Sequence, residues 1–171
     1  MKKTILVIVT VFIAGFTANA QDRSSFKAGL IAGIPVGDAA NISSFAIGLD
    51  AAYHWGVSEV FDVGLATGFI NAFGDNIDAS VGDVEIQAEF EDFQFLPLAA
   101  SVRIYPTYQF KLGVDAGYAV GINEGNEGGL YYRPLIGYNI TGNTELNVSY
   151  VAVDNNGATF SIAMVGLLFL F

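Results

Sequence analysis

The sequence predicts an all-β protein, an eight-stranded antiparallel up-and-down barrel that crosses a membrane after removal of a signal peptide. Three observations predict it. Two lysines, a short apolar run and an Ala-x-Ala ending open the chain. Bulky apolar residues then alternate with small or polar ones at a period of two. The connections between the alternating segments differ in length from one end of the segments to the other. Composition agrees: of 171 residues 53% are hydrophobic and only 14% charged, whereas a soluble domain carries roughly 25% charged residues. Water is therefore not the only solvent. A net charge of -10 excludes a surface built for nucleic acid. The absence of cysteine excludes disulfides, thiolate nucleophiles and thiolate metal sites.

The first element, residues 1–20, reads as a secretory signal peptide: Lys2 and Lys3, apolar residues 5–16, then Ala18-Asn19-Ala20. Its apolar run is shorter than the roughly 20 residues of a spanning helix. The mature barrel domain is then 21–171. Without Lys2 and Lys3 it keeps 5 of the 7 basic residues against 17 acidic ones, a net charge of -12.

Eight strands follow, at 26–34, 45–55, 61–70, 93–105, 110–121, 130–140, 145–153 and 159–171. Most are close to the roughly 9 to 11 residues that a tilted strand needs to cross a bilayer. In the second, Phe45, Ile47, Leu49, Ala51, Tyr53 and Trp55 alternate with Ala46, Gly48, Asp50, Ala52 and His54. In the fifth, Phe110, Leu112, Val114, Ala116, Tyr118 and Val120 alternate with Lys111, Gly113, Asp115, Gly117 and Ala119. Connections 56–58, 106–107 and 141–143 are short, whereas 36–43, 73–91, 122–127 and 154–158 are longer and polar. Short turns at one end and longer loops at the other are the plan of a barrel in an outer membrane, with both termini at the short-turn, periplasmic end.

Closure leaves no strand edge without partners in hydrocarbon. The bulky face should then meet lipid, with rings gathered at both rims. Tyr53, Trp55, Phe61, Tyr105, Tyr108 and Tyr138 fall at the short-turn rim. Phe45, Phe69, Tyr118, Tyr132 and Phe160 fall at the loop rim, and Leu30, Leu49, Leu65, Val114, Ile136 and Val148 lie between. A soluble barrel with the apolar face inward would leave Gly48, Gly64, Gly68, Gly113 and Gly117 facing water, too small and uncharged a surface for solubility. At the C-terminus Val165, Leu167, Phe169 and Phe171 alternate to the last residue, as in the terminal-aromatic signal read by the barrel assembly machinery. Strand eight is apolar on its other face too, which leaves its register open to a face switch at Gly166.

The mature chain resembles the small eight-stranded outer-membrane β-barrel proteins of the OmpA-domain and OmpX kind, and in particular the outer membrane β-barrel domain family abundant in Bacteroidota. The residues carrying the second resemblance are Gly29-Leu-Ile-Ala-Gly33, Phe93-Gln-Phe-Leu-Pro-Leu98 leading into Arg103-Ile-Tyr105, and Leu112-Gly-Val-Asp-Ala-Gly-Tyr118. The acidic residue that often precedes the Leu-Pro pair is replaced by Phe95. The resemblance implies fold and envelope location, with outer-membrane lipids as surroundings, and no particular activity.

Nearly all the mature basic residues share the inward parity. Lys27, Arg103, Lys111 and Arg133 fall with Asp50, Asp62, Asp115 and Glu145. Turn centres set Asp115 opposite Arg133 and Asp62 opposite Arg103. Charges buried in so narrow a lumen must be paired or solvated, so structural ion pairs are expected. A narrow channel for small solutes, with the inward glycines widening the lumen, is the alternative. An outer-membrane lipid-modifying enzyme is a further one, and its candidate acid or base is His54, the only histidine. Barrels of that kind place His and Ser at the lipid-facing or loop-side rim. Parity turns His54 into the lumen at the other end, with no matching Ser. Asp75-Asn76-Ile77-Asp78 lacks the Gly and later Glu of a calcium loop, and no cofactor is expected. Recognition is expected in 73–91, the longest connection, which holds Asp75, Asp78, Asp83, Glu85, Glu89 and Glu91 and no base. Its second half alternates and is expected to prolong strand four above the membrane as an open edge for an extracellular protein partner.

Overall fold

The structure is a computed structural model that describes residues 24–81, 84–89 and 91–171. The expected signal peptide and Asp83 lie outside these residues. Ten strands are described: β1 (Ser24–Val36), β2 (Ser43–Ser58), β3 (Phe61–Gly74), β4 (Asn76–Val81), β5 (Val84–Glu89), β6 (Phe93–Ile104), β7 (Phe110–Gly121), β8 (Gly129–Asn139), β9 (Thr144–Asn155) and β10 (Ala158–Leu170). Eight of them close into one antiparallel barrel in the order β1-β10-β9-β8-β7-β6-β3-β2, and β4 and β5 form a separate two-stranded sheet. Each expected strand is present: four are longer by three to five residues, and the other four agree within one residue at either end. Closure is made by β1 and β10, from Lys27 opposite Leu170 to Val36 opposite Ser161, and the amide of Phe171 prolongs it by donating to the Phe26 carbonyl over 2.9 Å.

The period-two pattern sorts side chains as a barrel in lipid requires. Leu30, Leu49, Leu65, Ile136 and Val148 stand outward with relative exposures of 65, 56, 60, 52 and 58%. Trp55, Tyr53 and Tyr138 lie exposed toward the short-turn rim, and Phe45, Tyr118 and Tyr132 toward the loop rim. Two rings depart from the expected outer girdle. Tyr105 follows the last residue of β6, so alternation no longer governs it; it turns to the lumen mouth, where Lys27 Nζ donates to its hydroxyl over 3.2 Å. Phe160 has the parity of Ile162 and Met164 and points inward, onto Phe93 at 4.9 Å and Phe95 at 5.5 Å between ring centroids. The register of β10 against β9 is unbroken from Ala158 to Phe169. No face switch occurs at Gly166: Val165, Leu167 and Phe169 stay outward while Ile162, Met164 and Leu168 fill the lumen.

The connections depart from the simple short-long rule. The short-turn end has the two-residue turn 59–60, the four-residue turn 140–143 and the five-residue turn 105–109. At the loop end, 37–41 is a 3-10 turn. The last loop, expected to be long, is a tight hairpin in which Asn155 pairs Ala158. Asn156 and Gly157 have φ of 52 and 92°, the left-handed pair that an Asn-Gly two-residue turn supplies at low strain. Val84 to Glu89 is a strand, as its alternation indicates, but it does not prolong β6. It pairs back on β4, from Asn76 opposite Glu89 to Val81 opposite Val84. The preceding residues have the same alternation, and pairing two local strands satisfies more backbone groups than leaving one open edge.

The lumen is filled in two layers. Toward the loop end lies an apolar layer of Ile31, Ile70, Phe95, Tyr131, Val151 and Met164 with several alanines. Toward the short-turn end lies a layer of buried charged and polar side chains.

Candidate functional site

The charged layer is assembled from inward positions of β1, β2, β3, β6, β7, β8 and β9. Its organising group is Asp115 on β7. Arg103 Nη1 and Nη2 donate to Asp115 Oδ1 and Oδ2 over 2.6 and 3.1 Å. From the opposite side Arg133 donates through Nε to Oδ2 over 2.9 Å. The rest of the Arg133 guanidinium reaches Asp50 on β2, with Nη1 to Oδ2 at 2.9 Å. In the barrel order β8 and β2 stand half a circuit apart, so this pair crosses the bore. A second set joins Lys111 to Glu145, with Lys27 Nζ 3.5 Å from the same carboxylate. Lys27 also lies over the Tyr105 ring at 5.8 Å, and Asp62 lines the same cleft at the lumen mouth as Lys27 and Tyr105.

Asp62 does stand opposite Arg103 in the β3–β6 register, yet the expected pair between them is not the one formed. Arg103 faces Gly113 across β6 and β7, and a methyl group added at Gly113 would meet the Arg103 side chain. The missing side chain lets the guanidinium lean over β7 to Asp115, where a second arginine shares the carboxylate. Gly137 plays the same part between Lys111 and Glu145: a Cβ there would fall on both.

Every described basic side chain, Lys27, Arg103, Lys111 and Arg133, is buried in this layer together with Asp50, Asp62, Asp115 and Glu145. Four basic and four acidic side chains meet here, so their formal charges balance. Asp115 and Lys111 have relative exposures of 0 and 1%.

His54 belongs to the same layer. Its Nε2 lies 2.8 Å from Ser101 Oγ, and Ser101 stands opposite Asp115 in the β6–β7 register. Sequence reasoning missed this serine, because β3 separates β2 from β6 and Ser101 reaches His54 across it, opposite Gly64. The three residues lie in a row across β2, β6 and β7, and the hydrogen bonds described for the carboxylate come from Arg103 and Arg133 and none from the histidine. With both His54 and Ser101 1% exposed, no substrate reaches the hydroxyl. The set is a buried polar cluster: among the described residues His54 Nδ1 has no hydrogen-bond partner, so no third group orients the imidazole as a base next to a nucleophile requires. Among the described residues no group of three His, Asp or Glu side chains is placed to hold a metal ion.

The excess negative charge lies at the loop end. Asp38, Asp75, Glu91, Asp92, Glu124, Glu127 and Asp154 surround it, and the hairpin β4–β5 adds Asp78, Glu85 and Glu89 by sequence. Asp92, unnoticed in the sequence, ties the base of this hairpin: Oδ1 accepts from the Gly74 amide and Oδ2 from Asn71 Nδ2, both over 3.0 Å. Its carbonyl accepts from Asn123 Nδ2 over 2.6 Å.

No protein-family model and no curated protein sequence matches this chain. Solved structures do. Ail, the attachment invasion locus protein of Yersinia pestis, superposes with a TM-score of 0.56 at 15% identity, covering 86% of this chain and 97% of Ail. A de novo designed transmembrane β-barrel superposes with a TM-score of 0.53 at 12% identity, covering 86% of this chain and 95% of the design. The fold is that of an outer-membrane β-barrel. The outer membrane protein OprG of Pseudomonas aeruginosa is also similar, with a TM-score of 0.50 at 13% identity over 86% of this chain and 95% of OprG. At these identities the likeness is one of fold, and a designed barrel among the neighbours underlines that such a scaffold does not by itself specify a role.

Proposed function

We propose that this chain is an integral outer-membrane protein of a Gram-negative envelope, without catalytic activity, whose barrel holds an acidic loop end at the cell surface for interaction with another protein. The small OmpA-domain and OmpX-like barrels, including those of Bacteroidota, are the group it fits best. Residues 1–20 direct export, and Phe169 with Phe171 present the C-terminal strand to the barrel assembly machinery. Outer-membrane lipids surround the apolar wall. The observation that carries the reading is the separation of charge: every described base is buried in the lumen beside four acids, and the other acids are concentrated on the loops.

The recognition element is the hairpin within 73–91. Its two strands pair only with each other among the described residues, leaving main-chain groups at both outer edges available to an added strand. Asp78, Asp83, Glu85 and Glu89 favour a partner with basic residues and disfavour self-pairing. Ail has been crystallised with the heparin analogue sucrose octasulfate. That ligand is a polyanion, and the acidic loop end here selects against one. The test replaces residues 76–89 with a short Gly-Ser linker. A heat-modifiable, folded barrel that no longer crosslinks to its surface partner is the expected result. Undiminished crosslinking rejects the recognition role, and failure of the barrel to fold assigns the hairpin a structural one.

A further inference from the structure

Above the apolar layer, at the loop end and apart from the β4–β5 hairpin, lies an open-mouthed cavity of about 600 Å³, within the size range of small-ligand sites. Its floor is aromatic. Phe160 lies between Phe93 and Phe95 at centroid distances of 4.9 and 5.5 Å, and Phe95 is almost wholly buried in the core beneath. Its rim is polar and carries charge of one sign, Asp38 from the 3-10 turn on one side and Glu127 from loop 122–128 on the other. No described base lies outside the lumen to neutralise either acid.

The rim is held before any ligand arrives. Asn126 Nδ2 donates to the Gln94 carbonyl over 2.8 Å, and Asn126 Oδ1 accepts from the Gly128 amide over 3.1 Å. Asn123 Oδ1 accepts from the Gln94 amide over 3.0 Å, fixing the same loop to the start of β6. Asn155 Nδ2 reaches Glu127 Oε2 at 3.4 Å, joining that loop to the end of β9. A site shaped in advance loses less ordering entropy on binding.

We infer that this cavity binds a small organic cation with an aromatic or alicyclic body. Two independent features call for the same charge. Aromatic faces carry negative potential and attract cations, and the rim acids do the same. The apolar body fills the floor while the cationic group stays near Asp38 and Glu127. This site is separate from the hairpin edge and stands whether or not the hairpin binds a protein.

The test is a titration of the full-length mature barrel in lipid nanodiscs, read from NMR resonances of Phe93, Phe160 and Asn126. The probes are benzyltrimethylammonium, phenylacetate and methyl glucoside. The cation is expected to shift these resonances saturably, whereas the anion and the sugar leave them in place. Asp38→Asn and Glu127→Gln should each weaken the cation by about twofold to fivefold, the size of an exposed charge pair. Phe160→Leu, which keeps the apolar volume but removes the ring face, should weaken it by a similar factor. Heat-modifiable migration verifies that each variant is folded. Saturable binding of the glucoside at the same resonances would overturn the inference in favour of a sugar platform. So would cation binding unchanged in the Asp38→Asn, Glu127→Gln double variant.

Discussion

Asp115 accepts from two guanidinium groups while fully buried, so its loss leaves two cations without their shared anion in a low-dielectric bore. Breaking a buried pair by removing one partner destabilises by about 3–5 kcal/mol. Asp115→Leu is therefore expected to lower stability in urea unfolding by about that much or more, whereas exchanging both members for apolar groups should lower it less. The coupling tells partners apart. Arg103→Met combined with Asp115→Leu should be less destabilising than the sum of the single changes, while Arg103→Met combined with Asp62→Leu should be near additive, because the Arg103 guanidinium is engaged with Asp115. Gly113→Ala places a methyl group where Arg103 passes, and should uncouple Arg103 from Asp115 in the same double-mutant measurement. Parity in the sequence was enough to bring all eight charges into the lumen. It was not enough to assign partners, since a side chain opposite a glycine leans past its cross-strand neighbour, and that reach depends on which residues are missing a Cβ.

At the scale of elements the strands were legible because a wall between lipid and a packed interior imposes a period of two on every segment. Loops were less legible, for two physical reasons. Asn156-Gly157 is the dipeptide that closes a tight hairpin, and counting Asp154 to Ala158 as one polar loop hides it. In 73–91 the alternation was visible only in the second half, yet Ile77, Ala79 and Val81 repeat it on the partner strand, and a strand pairs with a near neighbour before it remains alone. Tethering by Asp92 is expected to matter more than the hairpin's own stability, since an isolated two-stranded sheet is marginal. Asp92→Ala should speed proteolytic cleavage within 76–89 in intact cells while leaving the barrel heat-modifiable. At the opposite end, Phe171 is 79% exposed and packs on Phe26 at a centroid distance of 6.0 Å, so it contributes modestly to packing. A deletion of Phe171 is expected to lower the amount of barrel recovered from the outer membrane more than it lowers the stability of barrel already assembled. Equal losses in the two measurements would assign the residue to closure instead of to recognition by the assembly machinery.

For the whole molecule, the two layers argue for a closed cylinder over a channel: an apolar cluster lies toward the loop end, and toward the other end Asp115 and Lys111 are 0 and 1% exposed. Planar bilayers holding the purified protein are expected to show no steady conductance, and Gly137→Ala, by displacing Lys111 from Glu145, should not open one because the apolar layer remains. The pair between Arg133 and Asp50 has a mechanical meaning as well. A closed ring of hydrogen-bonded strands resists stretching around its circumference far better than it resists being squeezed into an ellipse. Joined by a charged tie at 2.9 Å, opposite walls can no longer move apart or slide along each other independently. A lateral load from the bilayer on β2 is thus delivered to β8 through the bore, and the cylinder answers as one stiff body.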